Sequence, residues 1–447
     1  MLELLYGREL LNTELPKNFP ITQSEILTKP AHVMKAGQVH CVRCQSVMEA
    51  VASSACICGE PCAYCRNCLQ MGKVRKCSTL YSLPEPNLFQ REKRDLLVWE
   101  GTLSTQQREG SNRLIESVNR KETHLLWAVA GAGKTEMLFE GIAHALRQKK
   151  RVCVASPRVD VCLELAPRFK AAFPYTPTSV LYGGMEEPYA YTQLVIATTH
   201  QLYRFKEAFD VLIIDEIDAF PFHLDDSLQF AADKARKQAS TFIYLSATPS
   251  PQMQKDVRKK KLSATILPAR YHGHPLPVPK PKMCFDWQIK VLKKIKKTSF
   301  GKALDQRIQK NKKCLVFVPN IEWMLKLEKQ LRNVYPEVSF AAVSSEDPLR
   351  KEKVLKMREN TYQFLLTTTI LERGVTFPNV DVLVLGAEDR IFTEAALVQI
   401  AGRAGRSPKY PTGDVLFFHS GQSIPLKKAI KQIKQMNRLA KKRGLIA

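Results

Sequence analysis

The sequence predicts an α/β protein of two doubly wound lobes, preceded by a module held together by four cysteines. Three observations carry this reading. Short apolar runs ending in small or polar residues alternate with amphipathic segments over residues 98–267. The alternation restarts after residue 282. Eight cysteines crowd into residues 41–77. Buried parallel strands read as continuous apolar runs, and functional residues of open α/β sheets follow the strands' C-terminal ends.

Length and charge bound the rest. A chain of 447 residues is too long for one ordinary core, and 45% hydrophobic residues allow it to fold. Lysine plus arginine total 68 against 43 acidic residues, a net charge of +25. Such an excess attracts a polyanion, and nucleic acid is the usual one. Basic runs lie at 258–270, 290–297 and 426–435. No apolar run approaches the roughly 18 residues of a membrane span. The opening "MLELLYGRELLNTELPK" lacks a charged region followed by an apolar one. The expectation is a cytoplasmic protein, with peripheral attachment to the inner face of the membrane through a partner left open.

Along the chain, residues 1–37 read as a mixed lead-in with helical stretches and 38–80 as the cysteine module. Residues 98–267 form the first lobe, with strand-like runs "LLWAVAG" (125–131), "RVCVASP" (151–157), "QLVIATT" (193–199), "VLIIDE" (211–216) and "TFIYLSAT" (241–248). Residues 268–282 read as a proline-rich linker. Residues 283–447 form the second lobe and a basic tail, with runs "KCLVFVP" (313–319), "VSFAAVSS" (338–345), "QFLLTTT" (363–369), "VDVLVLG" (380–386) and "GDVLFFH" (413–419).

"AVAGAGKT" (128–135) follows a strand-like run and opens a helix-like one, the setting of a phosphate-binding loop. Gly131, Ala132 and Gly133 let backbone N–H groups wrap a phosphate. Lys134 reaches the β- and γ-phosphates of ATP, and the Thr135 hydroxyl ligates Mg2+. The first position is Ala128 where the strict pattern has glycine. "VLIIDEID" supplies carboxylates at a strand end: Asp215 to hold magnesium through water, Glu216 as general base.

With "SAT" (246–248), "TTTILERGVTFPNV" (367–380) and "QIAGRAGRS" (399–407), these residues resemble the superfamily 2 helicases and translocases in motif order, over roughly residues 100–410. That resemblance implies two RecA-like lobes. It makes Gln107 of "LSTQQ" the adenine reader and gives Gln399, Arg403 and Arg406 to the γ-phosphate. Arg403 and Arg406 are three residues apart, on one side of a helix turn, and suit arginine fingers. The family often has Asp two residues after Gly374, where this chain has Thr376. Strand-end loops at 156–158, 198–202, 343–347 and 367–370 offer hydroxyls and backbone N–H groups for sequence-independent phosphate contacts.

Cys-x-x-Cys pairs suit tetrahedral Zn2+ binding. Cys41 and Cys44 form one pair. Both Cys62/Cys65 and Cys65/Cys68 have the spacing for the other, and the 20 residues separating Cys44 from Cys65 fit a ribbon-like site of Cys41, Cys44, Cys65 and Cys68. Cys56, Cys58, Cys62 and Cys77 are then surplus, either free thiols or a second site. Arg43, Arg66, Lys73, Arg75 and Lys76 make the module basic, suiting DNA or an acidic partner.

A closer resemblance covers nearly the whole chain. "CVRC", "YCRNCLQMGKV", "WAVAGAGKTEMLF", "IIDEIDAFP" and "IFTEAALVQIAGRAGR" are similar to the ComFA family of late competence proteins. It places the second cysteine pair at "YCRNC". It implies an ATPase stimulated by single-stranded DNA, serving import of transforming DNA with a membrane channel and a ComFC-like partner. Assembly into a homo-oligomer stays open. A PriA-like restart helicase would carry its zinc insertion between motor motifs, whereas these cysteines precede them. A scaffold using ATP only as a switch would not need Lys134, Glu216 and Arg406 together.

Overall fold

The computed structural model describes residues 1–51, 56 and 58–446. The chain divides into two compact units. One comprises Met1–Thr102, Arg108–Leu126 and Thr135–Thr265; the other comprises Leu103–Gln107, Trp127–Lys134 and Ile266–Ala447.

The first large sheet has seven strands. Their order is Thr178–Leu181, Leu194–Thr198, Val152–Ser156, Phe209–Asp215, Arg236–Ser246, Thr123–Ala128 and Ser263–Leu267. The pairings among the first five are parallel. Val152–Ser156 and Leu194–Thr198 are buried along their whole length. That is why they read as unbroken apolar runs, since helices cover both faces of a parallel sheet.

The second sheet has six strands, in the order Lys280–Met283, Val415–His419, Asp381–Leu385, Cys314–Phe317, Phe364–Thr367 and Phe340–Val343. All of its pairings are parallel. Its core joins Phe300, Leu327, Val316, Leu366 and Phe418 with the edge-to-face pair Trp287–Trp323. The fold has two parallel sheets, as the apolar runs predicted, and they are RecA-like, as the helicase resemblance implied.

Each of the ten apolar runs overlaps a strand. In the two large sheets, the three strands not foreseen, Thr178–Leu181, Ser263–Leu267 and Lys280–Met283, lie at edges. Each of the three leaves some side chains exposed or half-buried, so its sequence lacks a continuous apolar run, whereas the edge strand Phe340–Val343 is buried throughout and shows one. Lys280–Met283, which falls in the proline-rich stretch, is exposed at every position.

The N-terminal residues form a separate antiparallel sheet of Arg8–Leu11, Thr79–Leu83 and Leu27–Pro30, with Thr79–Leu83 central. Between its strands run two hairpins, His32–Lys35 with Gln38–Cys41 and Glu49–Val51 with Cys62–Tyr64. Cys41 and Cys62 lie on these strands, and the other clustered cysteines lie in the segments between and after them.

Candidate active site and metal centre

Strand Thr123–Ala128 leads into the phosphate loop, and helix Lys134–Arg147 follows at once. Gly131 and Gly133 have φ of 82° and 73°. This left-handed conformation suits glycine and lets successive backbone N–H groups turn inward. Lys134 opens the helix, where the positive end of its dipole favours a phosphate. Gln107 is buried. Its Nε2 donates to the Gly133 carbonyl at 3.1 Å, while its Oε1 accepts from the Ser104 N–H and hydroxyl, each at 2.9 Å. It ties the "LSTQQ" segment to the loop.

Asp215 ends strand Phe209–Asp215, and Glu216 follows with φ of 57°. A non-glycine residue in this region costs about 1–2 kcal/mol, and such strain concentrates at functional sites. The Glu216 N–H donates to Asp215 Oδ1 at 2.9 Å. Both residues are buried. Asp218, the last residue of "DEID", received no role from the sequence. Its two carboxylate oxygens accept from the Ser246 and Thr248 hydroxyls, each at 2.6 Å. Those hydroxyls belong to the "SAT" segment, so the carboxylate motif and the "SAT" turn are joined by two charge-assisted bonds. The adjacent strands Phe209–Asp215 and Arg236–Ser246 bring them together, which sequence distance hid.

Gln399 lies in helix Glu394–Ala401, with Arg403 and Arg406 just beyond it. The structure distinguishes the two arginines. Arg403 is fully buried, donating to the Glu372 carbonyl at 2.9 Å and to the Val375 carbonyl. It therefore braces the loop carrying Arg373 and Gly374. Arg406 is half-exposed, and its Nε donates to the Gly402 carbonyl at 2.9 Å.

Within the same unit, Arg270 is buried and donates to the carbonyls of Ala404, at 2.7 Å, and Gly405. Burial, and then Arg406, hold it below the ordinary arginine range. The next residue, Tyr271, donates its N–H to the Gly131 carbonyl at 3.0 Å. A Cβ on Gly402 would lie 2.5 Å from that of Ala130, so glycine is required for this approach. The sequence placed Arg270 in a basic run and the start of the linker. Instead it lies beneath the turn that bears Arg406.

Three of the loops expected to grip phosphates each keep a hydroxyl inside. Thr367 donates to the Val343 carbonyl at 3.0 Å, and Ser156 and Thr199 are fully buried. Thr367 therefore cannot offer that proton to a backbone phosphate.

In the module, Cys41, Cys44, Cys65 and Cys68 are buried together, their sulfurs all within 4.8 Å of one another. Sγ separations are 3.8 Å for Cys41–Cys68 and 3.3 Å for Cys44–Cys65. The edge of a tetrahedron with ~2.3 Å Zn–S bonds is ~3.8 Å, so the group fits zinc. Cys56, Cys58, Cys62 and Cys77 form a second group within the same limit.

Arg43, counted among the basic surface residues, is fully buried. Its Nη2 donates to the Glu9 carbonyl at 2.9 Å, and the guanidinium pairs with Glu14. Glu14 also accepts from Arg204 at 2.7 Å, and Arg204 donates to the Met71 carbonyl at 3.0 Å. This network belongs to one compact unit and secures the module to the segment following strand Leu194–Thr198. Arg66, Lys73 and Lys76 remain exposed.

A phosphate loop, a strand-end Asp-Glu pair and an arginine-bearing turn on RecA-like sheets define a helicase-like ATPase of superfamily 2. Family models agree. Residues 100–251 match the res subunit of type III restriction enzymes, and residues 295–408 match the helicase conserved C-terminal domain. Residues 1–82 match the N-terminal domain of competence protein ComFA.

Over its length the chain is 43% identical to competence protein ComFA of Bacillus subtilis, covering 98% of this chain and 96% of that protein. It is 40% identical to ComFA of Streptococcus pneumoniae, covering 92% and 93%. The structure of S. cerevisiae Dbp5 bound to RNA and ADP BeF3 shares the fold, with TM-score 0.54 at 12% identity over 75% of this chain and 91% of that one. The chain belongs to the ComFA family of competence proteins, and it is an ATP-hydrolysing, helicase-like enzyme that binds nucleic acid. No helix among the described residues is long and apolar enough to cross a membrane.

Proposed function

We propose that this protein is an ATP-driven translocase on single-stranded DNA that draws transforming DNA inward during competence, with a membrane channel and a ComFC-like protein as partners. The observation that carries the reading is one chain of the ComFA family holding a phosphate loop, Asp215–Glu216 and Gln399 with Arg403 and Arg406 on RecA-like sheets.

The loop N–H groups at Gly131, Ala132 and Gly133 cradle the phosphates, Lys134 neutralises them, and Gln107 reads adenine beside the loop. Thr135 and Asp215 are hard oxygen donors of the kind magnesium takes; that ion offsets charge on the phosphates. Glu216 accepts the proton of the attacking water. Arg406 meets charge building on the γ-phosphate, Arg403 holds the turn, and Gln399 positions the water or phosphate. Cys41, Cys44, Cys65 and Cys68 hold a structural zinc. With four protein ligands it has no open position for catalysis.

Coupling to DNA runs through the strand-end loops by backbone N–H groups and exposed side chains. Binding should be insensitive to base sequence and weaken steeply with salt. The test is ATP turnover by the purified protein with single-stranded DNA, duplex DNA and RNA in parallel. Single-stranded DNA should stimulate most. Dbp5 is bound to RNA, so RNA is the informative arm: stimulation by RNA alone would overturn the reading.

A further inference from the structure

We propose that the module holds two zinc ions, the second bound by Cys56, Cys58, Cys62 and Cys77.

The strand register builds this site. Hairpin strand Cys62–Tyr64 continues into a second ladder on its other side. The Cys65 N–H donates to the Val74 carbonyl at 2.9 Å, Tyr64 opposes Arg75, and the Lys76 N–H donates to the Ala63 carbonyl at 2.7 Å. Two residues further in this register, Cys62 opposes Cys77. Alternation sends Cys62 and Cys65 to opposite faces of the same ribbon. Cys65 enters the first cluster, and Cys62 enters the second.

The other two ligands arrive on a turn. The Gly59 N–H donates to the Cys56 carbonyl at 3.1 Å, and Gly59 takes a left-handed φ of 73°. That turn carries Cys56 and Cys58 together. Cys56 and Cys77 Sγ lie 3.6 Å apart, close to the ~3.8 Å edge of a zinc tetrathiolate, and all four sulfurs lie within 4.8 Å of one another.

The set is chemically complete. Four thiols and no oxygen or imidazole favour a soft tetrahedral ion, and zinc needs no redox partner. Binding releases a proton from each ligand thiol and forms four Zn–S bonds, leaving a site of net charge −2. Arg75 and Lys76, beside Cys77 in the chain, offset it. A disulfide between Cys56 and Cys77 would need an oxidant and would leave Cys58 and Cys62 unused. Functionally, this ion fastens the turn at Cys56–Cys58 to the segment that enters Thr79–Leu83, the central strand of the N-terminal sheet.

The experiment is zinc counting by plasma mass spectrometry on the full chain purified with reductant and no chelator. Wild type should carry two ions per chain, one for each cluster. Cys62→Ser and Cys65→Ser should each lose one, and the double variant both. One ion in wild type overturns the proposal, as does a Cys62→Ser protein with undiminished zinc.

A measurement on wild type alone guards against misfolded variants. Cys58 and Cys77 are exposed, yet iodoacetamide should modify them only after chelator treatment. Rapid alkylation of both before chelation, or recovery of a Cys56–Cys77 disulfide from reductant-purified protein, also overturns it. Neither result touches the first cluster, whose ion is counted by Cys65→Ser.

Discussion

The cysteine module and most of the first parallel sheet belong to one compact unit, yet different forces hold them. In the sheet, strands such as Leu194–Thr198 bury every side chain between helical layers. In the module, the paired strands His32–Lys35 and Gln38–Cys41 bury only Cys41. An isolated two-stranded hairpin is marginal in water, and this one has too little apolar surface to change that. Sulfur clusters and the Arg43–Glu14–Arg204 network take the place of a core. Where hydrophobic burial thins out, clustered thiols and buried charge pairs occupy the interior.

That contrast can be broken at either end. Lys134→Ala should lower ATP turnover at least about a hundredfold, while zinc content stays at the wild-type value; retained phosphate release would remove Lys134 from the site. Cys65→Ser should do the reverse: metal lost and the hairpins opened to protease within 38–80, with the sheet strands still protected from hydrogen exchange. Equal protease resistance would show that the module does not depend on its metal.

The next effect is smaller. Arg43→Ala leaves Glu14 with one cation, Arg204. Breaking a buried pair costs about 3–5 kcal/mol. Urea unfolding should report a loss in that range, and a loss under about 1 kcal/mol would show that Arg43 is not a structural strut.

The smallest effect belongs to the sheet. His124 hydrogen-bonds to the hydroxyls of Ser263 and Thr265, each at 3.0 Å, on the neighbouring edge strand. Burial, then the nearby Arg113, pushes it down from 6.5 to about 4, with Glu116 opposing. Below pH 6.5 the unfolded chain takes up a proton that the folded one refuses. This group therefore removes stability as pH falls towards 4, by roughly 3 kcal/mol at the limit. Above pH 6.5 it contributes no slope. His124→Gln should flatten that part of the acid limb in denaturation curves; an unchanged slope would place the acid sensitivity elsewhere.

The ATPase sheets were more legible than the module. The phosphate loop, "DEID" and "QIAGRAGRS" are contiguous, so local order exposes them. Asp218 was quoted without a role because its partners, Ser246 and Thr248, come from the next strand in the sheet. Arg43 and Arg270 looked like surface charge because a sequence shows a side chain's type and not its depth. The second cysteine group has no standard spacing: Cys62 and Cys77 meet only through ladder register.

By itself the sequence marked ten of the parallel strands, their order along the chain, the glycine-rich turn before helix Lys134–Arg147 and the first four-cysteine set. Each depends on short-range pattern: the period of apolar runs, the chemistry of a turn, two residues between thiols. The tertiary structure alone decided the edge strands Thr178–Leu181, Ser263–Leu267 and Lys280–Met283 and the different depths of Arg403 and Arg406. It also decided the burial of Arg43 and Arg270 and the gathering of Cys56, Cys58, Cys62 and Cys77. Those depend on which segments become neighbours, and that choice belongs to the packing of the whole chain rather than to any stretch of it.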